Sequence, residues 1–212
     1  MIMEELDLLK KDWQRNDHSS IQFSETEIYK MLHKNSSSVV KWILVISILE
    51  ILLWTILSVC FSNDDYFKSL KHDEVFVWLK ILTYFNYAVI LFFIYLFYKN
   101  YITISTTAST KKLMKNILKT RRSVQYYVWF NLGMITFSFM LGIFFAFAYN
   151  PDIAVLKEKI NHNQFILLLI IVVLIVAVAI LLGLFWLFYK LLYGILLKKL
   201  SKNYEELKKI DL

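Results

Sequence analysis

Residues 165–189 read FILLLIIVVLIVAVAILLGLFWLFY, and no side chain before the closing Tyr189 can ionise. At about 1.5 Å per helical residue, such a run covers the roughly 30 Å of a bilayer's hydrocarbon core. Residues 39–61, 75–98 and 124–149 are also long enough, and none of the four stretches shows the period-two alternation of a membrane barrel. The expected fold class is therefore an all-α integral membrane protein, a four-transmembrane-helix bundle. A cytoplasmic arm (1–38) precedes the membrane domain (39–189), and a cytoplasmic stem (190–212) follows it. Composition agrees: 58% of the 212 residues are hydrophobic and 19% charged, while one proline and four glycines leave little turn material for a many-stranded β fold.

Orientation follows from the flanking cations, because retained basic segments face the cytoplasm. The arm holds Lys10, Lys11, Arg15, Lys30 and Lys34, and the stretch 99–123 holds Lys99, Lys111, Lys112, Lys115, Lys119, Arg121 and Arg122. Six lysines follow from Lys190 onward, whereas the other two connections carry only Lys68, Lys71, Lys157 and Lys159. Both termini and a basic loop 99–123 are thus expected inside, at a bacterial inner membrane. Trp42, Trp78, Trp129 and several tyrosines near span ends fit interfacial anchors. Cys60 reads as a small apolar residue near the outer end of the first span, since Val59 stands where a lipoprotein signal needs a small residue.

The arm reads as two short helices. Ile2, Leu6, Leu9 and Trp13 form one apolar stripe, and Ile28, Met31 and Leu32 form a second after a start signal. In that signal Ser24 caps Glu27, Glu27 reaches back to Ser24, and Phe23 staples onto Ile28. Helices this short are unstable alone in water, so they dock on the membrane domain, on lipid or on a protein partner. Leu6, Leu9, Trp13, Ile28 and Leu32 are the candidate partner contacts. In the stretch 99–123, Leu113, Met114, Ile117, Leu118 and Val124 make an apolar face ringed by cations. That segment is expected to lie along the inner membrane surface or run straight into the third span. Lys111, Lys112, Lys115, Lys119, Arg121 and Arg122 would meet lipid headgroups, or the arm, whose seven acids outnumber its five bases. No nucleic-acid module accompanies the net charge of +7, so direct nucleic-acid binding is not expected. Beyond Tyr189, residues Tyr193, Leu196, Leu197, Leu200, Tyr204 and Leu207 keep helical spacing, so the fourth helix should continue as an amphipathic stem.

Glu50 stands near the middle of the first span, where an ionised carboxylate is expensive unless partnered. Asn86 falls at a similar level, bracketed by Asn131 and Thr136, giving an intramembrane polar cluster that serves as structural glue, as a sensing or gating element, or as a transport site. Lys80 is shallower and should snorkel outward. Ser138, Gly142 and Ala146, with Ala179 and Gly183, form small-residue stripes suited to helix packing within one bundle or across a homo-oligomer. His18, His33, His72 and His162 all lie outside the spans without ligand spacing, and no phosphate loop or nucleophile motif occurs. No metal, cofactor or enzymatic activity is expected.

The strings LLKKDW at 8–13, KNSSSVVKWIL at 34–44, KKLMK at 111–115 and YYVWFN at 126–131 make the chain resemble four-span inner-membrane proteins of flavobacteria and their relatives. Some of those carry a carotene-cleaving oxygenase label, but that chemistry needs four iron-binding histidines in a large propeller, and neither is present. The resemblance implies genes placed beside extracytoplasmic-function sigma factors. It thereby implies an anti-sigma-factor-like regulator holding a cytoplasmic partner at the inner membrane. The alternatives are a small oligomeric channel or transporter using Glu50, or a structural subunit of a membrane complex.

Overall fold

The structure is a computed structural model and describes residues 24–60, 73–149 and 164–210. Four helices account for nearly all of them: α1 (Glu25–Cys60), α2 (Asp73–Thr106), α3 (Thr110–Tyr149) and α4 (Gln164–Ile210). Each is long and apolar enough to cross a membrane. Expectations for Leu6, Leu9 and Trp13 lie outside the described residues, as do those for most of the two distal connections.

α1 begins on the expected capping box. The Ser24 amide donates to Glu27 Oε2 at 3.0 Å, and the Glu27 amide donates to Ser24 Oγ at 3.3 Å. The helix then continues without a break into the first span, so its opening turns are not a separate arm helix. Asn35 and Ser36, poor helix formers that compete with their own backbone, are tied up by Asn203 of α4 instead: Asn35 Nδ2 donates to Asn203 Oδ1, and Asn203 Nδ2 donates to Ser36 Oγ, both at 3.0 Å.

The stretch read as a loop is mostly helix as well. α2 runs to Thr106, only residues 107–109 form a connection, and α3 proceeds from Thr110 straight through the third span. Leu113, Ile117 and Val124 are buried against the other helices, so this face is covered by protein and does not lie on a membrane surface.

The helices alternate in direction, and neighbours in sequence are neighbours in space. α1 packs on α2 and α4, α3 packs on the same two, and α1 meets α3 only sparingly across the diagonal. Along this square the packing divides sharply. Every buried residue falls within 32–50 of α1, 90–104 of α2, 113–132 of α3 or 189–207 of α4, among the described residues. We call this the proximal half, because it contains the described chain ends at Ser24 and Ile210. In the distal half, residues 51–60, 77–89, 133–149 and 165–188, no described side chain is buried.

The proximal core follows one pattern. Core positions recur as Leu32, Ser36, Val39, Ile43, Ile46 and Glu50 on α1, and as Leu113, Ile117, Thr120, Val124, Tyr127 and Asn131 on α3. On α4 they are Tyr189, Tyr193, Leu196, Leu200, Asn203 and Leu207; on α2, Ile90, Phe93, Phe97, Asn100 and Ile104. Alternating steps of three and four residues make a heptad seam, the repeat of antiparallel coiled-coil packing. Polar residues occupy several seam positions, and such substitutions fix register at some cost in stability.

Candidate functional site

Where the packed half ends, Glu50 of α1 points into the seam and is only 4% exposed. Three phenols close on it. Tyr189 of α4 donates its hydroxyl to Oε1 at 2.6 Å, while Tyr127 of α3 and Tyr193 of α4 each donate to Oε2 at 2.9 Å. Tyr189 and Tyr193 are one helical turn apart, so their rings stack on one face of α4, 6.2 Å between centroids and 20° between planes. Tyr127 meets Tyr193 edge-on at 5.8 Å and is backed by Phe93 and Phe97 of α2 at 5.4 and 5.5 Å, also edge-on. α2 thus supplies the aromatic wall, and α3 and α4 supply the donors.

Chemically this is a carboxyl group surrounded by donors alone, with no described lysine or arginine paired to it. An ionised carboxylate has about four acceptor positions, three of which are filled here, and the Tyr189 bond has the short length of a charge-assisted O–H···O contact. Bonds of this kind contribute about 1.5–3 kcal/mol each. They hold three helices at one level and provide neither a nucleophile nor a metal set. Among the described residues no group of His, Cys, Asp or Glu side chains is placed to hold a metal ion.

The expected polar cluster is rearranged rather than assembled. Asn86 and Asn131 line one cavity just distal to the Glu50 site. Asn131 Nδ2 is spent on the Tyr127 carbonyl at 2.9 Å, and Thr136 donates to the Leu132 carbonyl of its own helix. None of the three bonds Glu50. Glu50, central in the first apolar stretch, meets residues at the ends of two others: Tyr127 is near one end of the third, and Tyr189 closes the fourth.

Other expected sites divide similarly. Leu32 is buried and Ile28 packs on the core, so these two stripe residues serve the chain's own bundle and are not free partner contacts. Beside them Tyr29 donates to the Thr107 carbonyl at 3.0 Å, and His33 Nε2 meets the Ile104 carbonyl at 2.8 Å, pinning α1 to the end of α2. Burial pushes the Tyr29 phenol above its ordinary pKa. Lys111, Lys112, Lys115, Lys119 and Arg122 are exposed and Arg121 half-buried, forming a basic rim on the proximal part of α3. The small-residue stripes do not pack helices within this chain: a Cβ added at Gly142 or Gly183 meets nothing within 4 Å, and Ser138 and Ala179 are exposed, Ala146 half-buried.

Tyr127 and Tyr189 were not distinguishable in the sequence from interfacial anchors, and Tyr193 was read only as part of the stem's apolar stripe. The signal that singles them out is the heptad register, which places all three and Glu50 on seam positions.

The fold and site together define an all-helical four-helix bundle whose helices are long and apolar enough to cross a membrane, with a buried carboxylate–tyrosine node. The chain belongs to the family described as a domain of unknown function (DUF8845), which matches residues 26–212. No curated protein and no solved structure matches it.

Proposed function

We propose that the chain is a non-enzymatic regulatory protein of the bacterial inner membrane. In this reading the distal half and the adjoining Glu50-bearing part of the proximal bundle sit in lipid, while the proximal helix ends and their basic rim face the cytoplasm and hold a cytoplasmic protein there. The exposed distal side chains support the first part. Trp78, Phe144, Leu168, Ile175 and Leu184 are each at least 60% exposed, a surface that hydrocarbon covers and water does not tolerate. The concentration of lysine and arginine in the proximal half supports the orientation.

The observation that carries the regulatory reading is the Glu50 node. Replacing a buried polar or ionic group by well-packed apolar ones is often neutral or stabilising, so a buried Glu50 at the junction of two differently packed halves favours specificity or switching over stability. A node joining α1, α3 and α4 at that level links the lipid-facing half to the proximal bundle. A carboxylate held by three phenol donors and enclosed by their rings is a poor step on an ion path, which weighs against the channel alternative. Vesicles containing the protein are expected to show no proton or ion flux, with Glu50→Gln changing nothing.

With Ile28 and Leu32 committed to the core, partner contact falls to the stripe of Leu6, Leu9 and Trp13. The resemblance makes a sigma factor the first partner to seek. The test is purification from native membranes in mild detergent, comparing the full chain with one lacking residues 1–23, which spares the core. A cytoplasmic protein retained only by the full chain is expected; the same set of proteins on both chains overturns the tethering role.

A further inference from the structure

Immediately distal to Glu50 the four helices part around a cavity of about 550 Å³, within the roughly 300–1,000 Å³ usual for small-molecule sites. Its height spans residues 79–90 of α2 and 131–139 of α3, on the order of 12–16 Å at the helical rise. No charged side chain lines it; Trp54, Ile90, Met134 and Phe185 give it apolar walls. The exposed lining residues are Thr83 of α2 and Ser138 of α3, which puts its mouth between those helices. Among the polar lining residues, which include Thr83, Tyr87, Asn131 and Ser138, Asn86 stands apart because its Oδ1 is buried with no hydrogen-bond partner. An unsatisfied buried carbonyl costs about 1–3 kcal/mol, so a hydroxyl seated beside Asn86 would supply a bond that the protein does not. The floor includes Tyr189, the phenol that holds Glu50 at 2.6 Å.

We propose that this cavity binds a neutral single-chain amphiphile with a hydroxyl head, such as a long-chain alcohol, drawn from the surrounding lipid. The apolar walls accept the chain. The hydroxyl, both donor and acceptor, satisfies the Asn86 amide whichever end it presents. A phosphate or carboxylate head would enter an uncharged pocket unpaired, which burial forbids. The occupant rests on Tyr189, so this site is the ligand input of the regulatory reading. It depends on that reading's membrane placement and not on its partner.

The test uses the full chain in phosphatidylcholine nanodiscs with hexadecanol carrying a mid-chain diazirine. Saturable labelling within 79–90 and 131–139 is expected, displaced by plain hexadecanol and about tenfold more weakly by hexadecane, the difference of one hydrogen bond. Asn86→Leu should remove that tenfold preference, and Ser138→Trp should block entry. Non-saturable labelling of outward residues such as Leu91 and Met140, or equal displacement by hexadecane or palmitate, overturns the proposal. Mapping on the unaltered chain decides this even where a variant fails to fold. Because no partner is present, loss of labelling leaves the tethering test untouched, and absence of a partner leaves the labelling untouched.

Discussion

The proximal and distal halves are built from the same four helices yet obey different rules. In the proximal half a heptad seam buries side chains completely: Ile43, Ile104, Ile117 and Leu200 are all at 0% exposure, and polar seam residues pair across helices. In the distal half the residues are more uniformly apolar, yet none is buried. Hydrophobicity alone therefore does not make a core here. What differs is periodicity. Where polar residues interrupt the apolar ones at heptad spacing, one face is distinguished and helices dock along it; where leucine, isoleucine and valine surround the helix, every face is equivalent and suits lipid.

The largest expected effect tests the junction between the halves. Glu50→Ala leaves three buried phenols without their acceptor, at about 1–3 kcal/mol each, and should cost about 3 kcal/mol or more, read as a drop in thermal midpoint in mild detergent. An unchanged midpoint would mean that the node holds nothing together. Next, Leu200→Ala, in the proximal seam, should cost about 3 kcal/mol, whereas Leu168→Ala, at 60% exposure in the distal half, should cost almost nothing. Equal losses at both positions would erase the distinction between a packed half and an exposed apolar one. Tyr189→Phe keeps the ring and removes the shortest bond to Glu50, for a loss of about 2 kcal/mol, and it should exceed the loss from Tyr193→Phe. The smallest effect is a gain. Gly183→Ala meets open space and should stabilise α4 by about 0.5–1 kcal/mol through helix propensity. A destabilised Gly183→Ala protein would point instead to close contact with a second copy there.

Much of the architecture was legible. The four apolar runs, the capping box at Ser24 and Glu27, and the continuation of α4 beyond Tyr189 all appear at or near their expected positions, because each depends on neighbours within a few residues. The site was half legible. Glu50 stood out because a lone acid in an apolar run has no local explanation. Its donors did not, because tyrosine at a span end has an ordinary interfacial meaning and Tyr193 an ordinary place on the stem's stripe, and only pairing between α1, α3 and α4 sets them apart. Ile28 and Leu32 were misread for a related reason: an amphipathic stripe declares that it must be covered, but not by what.

The sequence by itself determined that this chain is helical, that four of its runs are long and apolar enough to cross a membrane, and where its charges cluster, since these follow from local composition and spacing. The tertiary structure decided which stripes face one another, that three tyrosines converge on one carboxylate, and that a cavity opens beside them. Those outcomes depend on the axial register of antiparallel helices, a long-range quantity. It is fixed by layers such as Ser36 with Asn203 and Glu50 with Tyr189, whose members are more than a hundred residues apart.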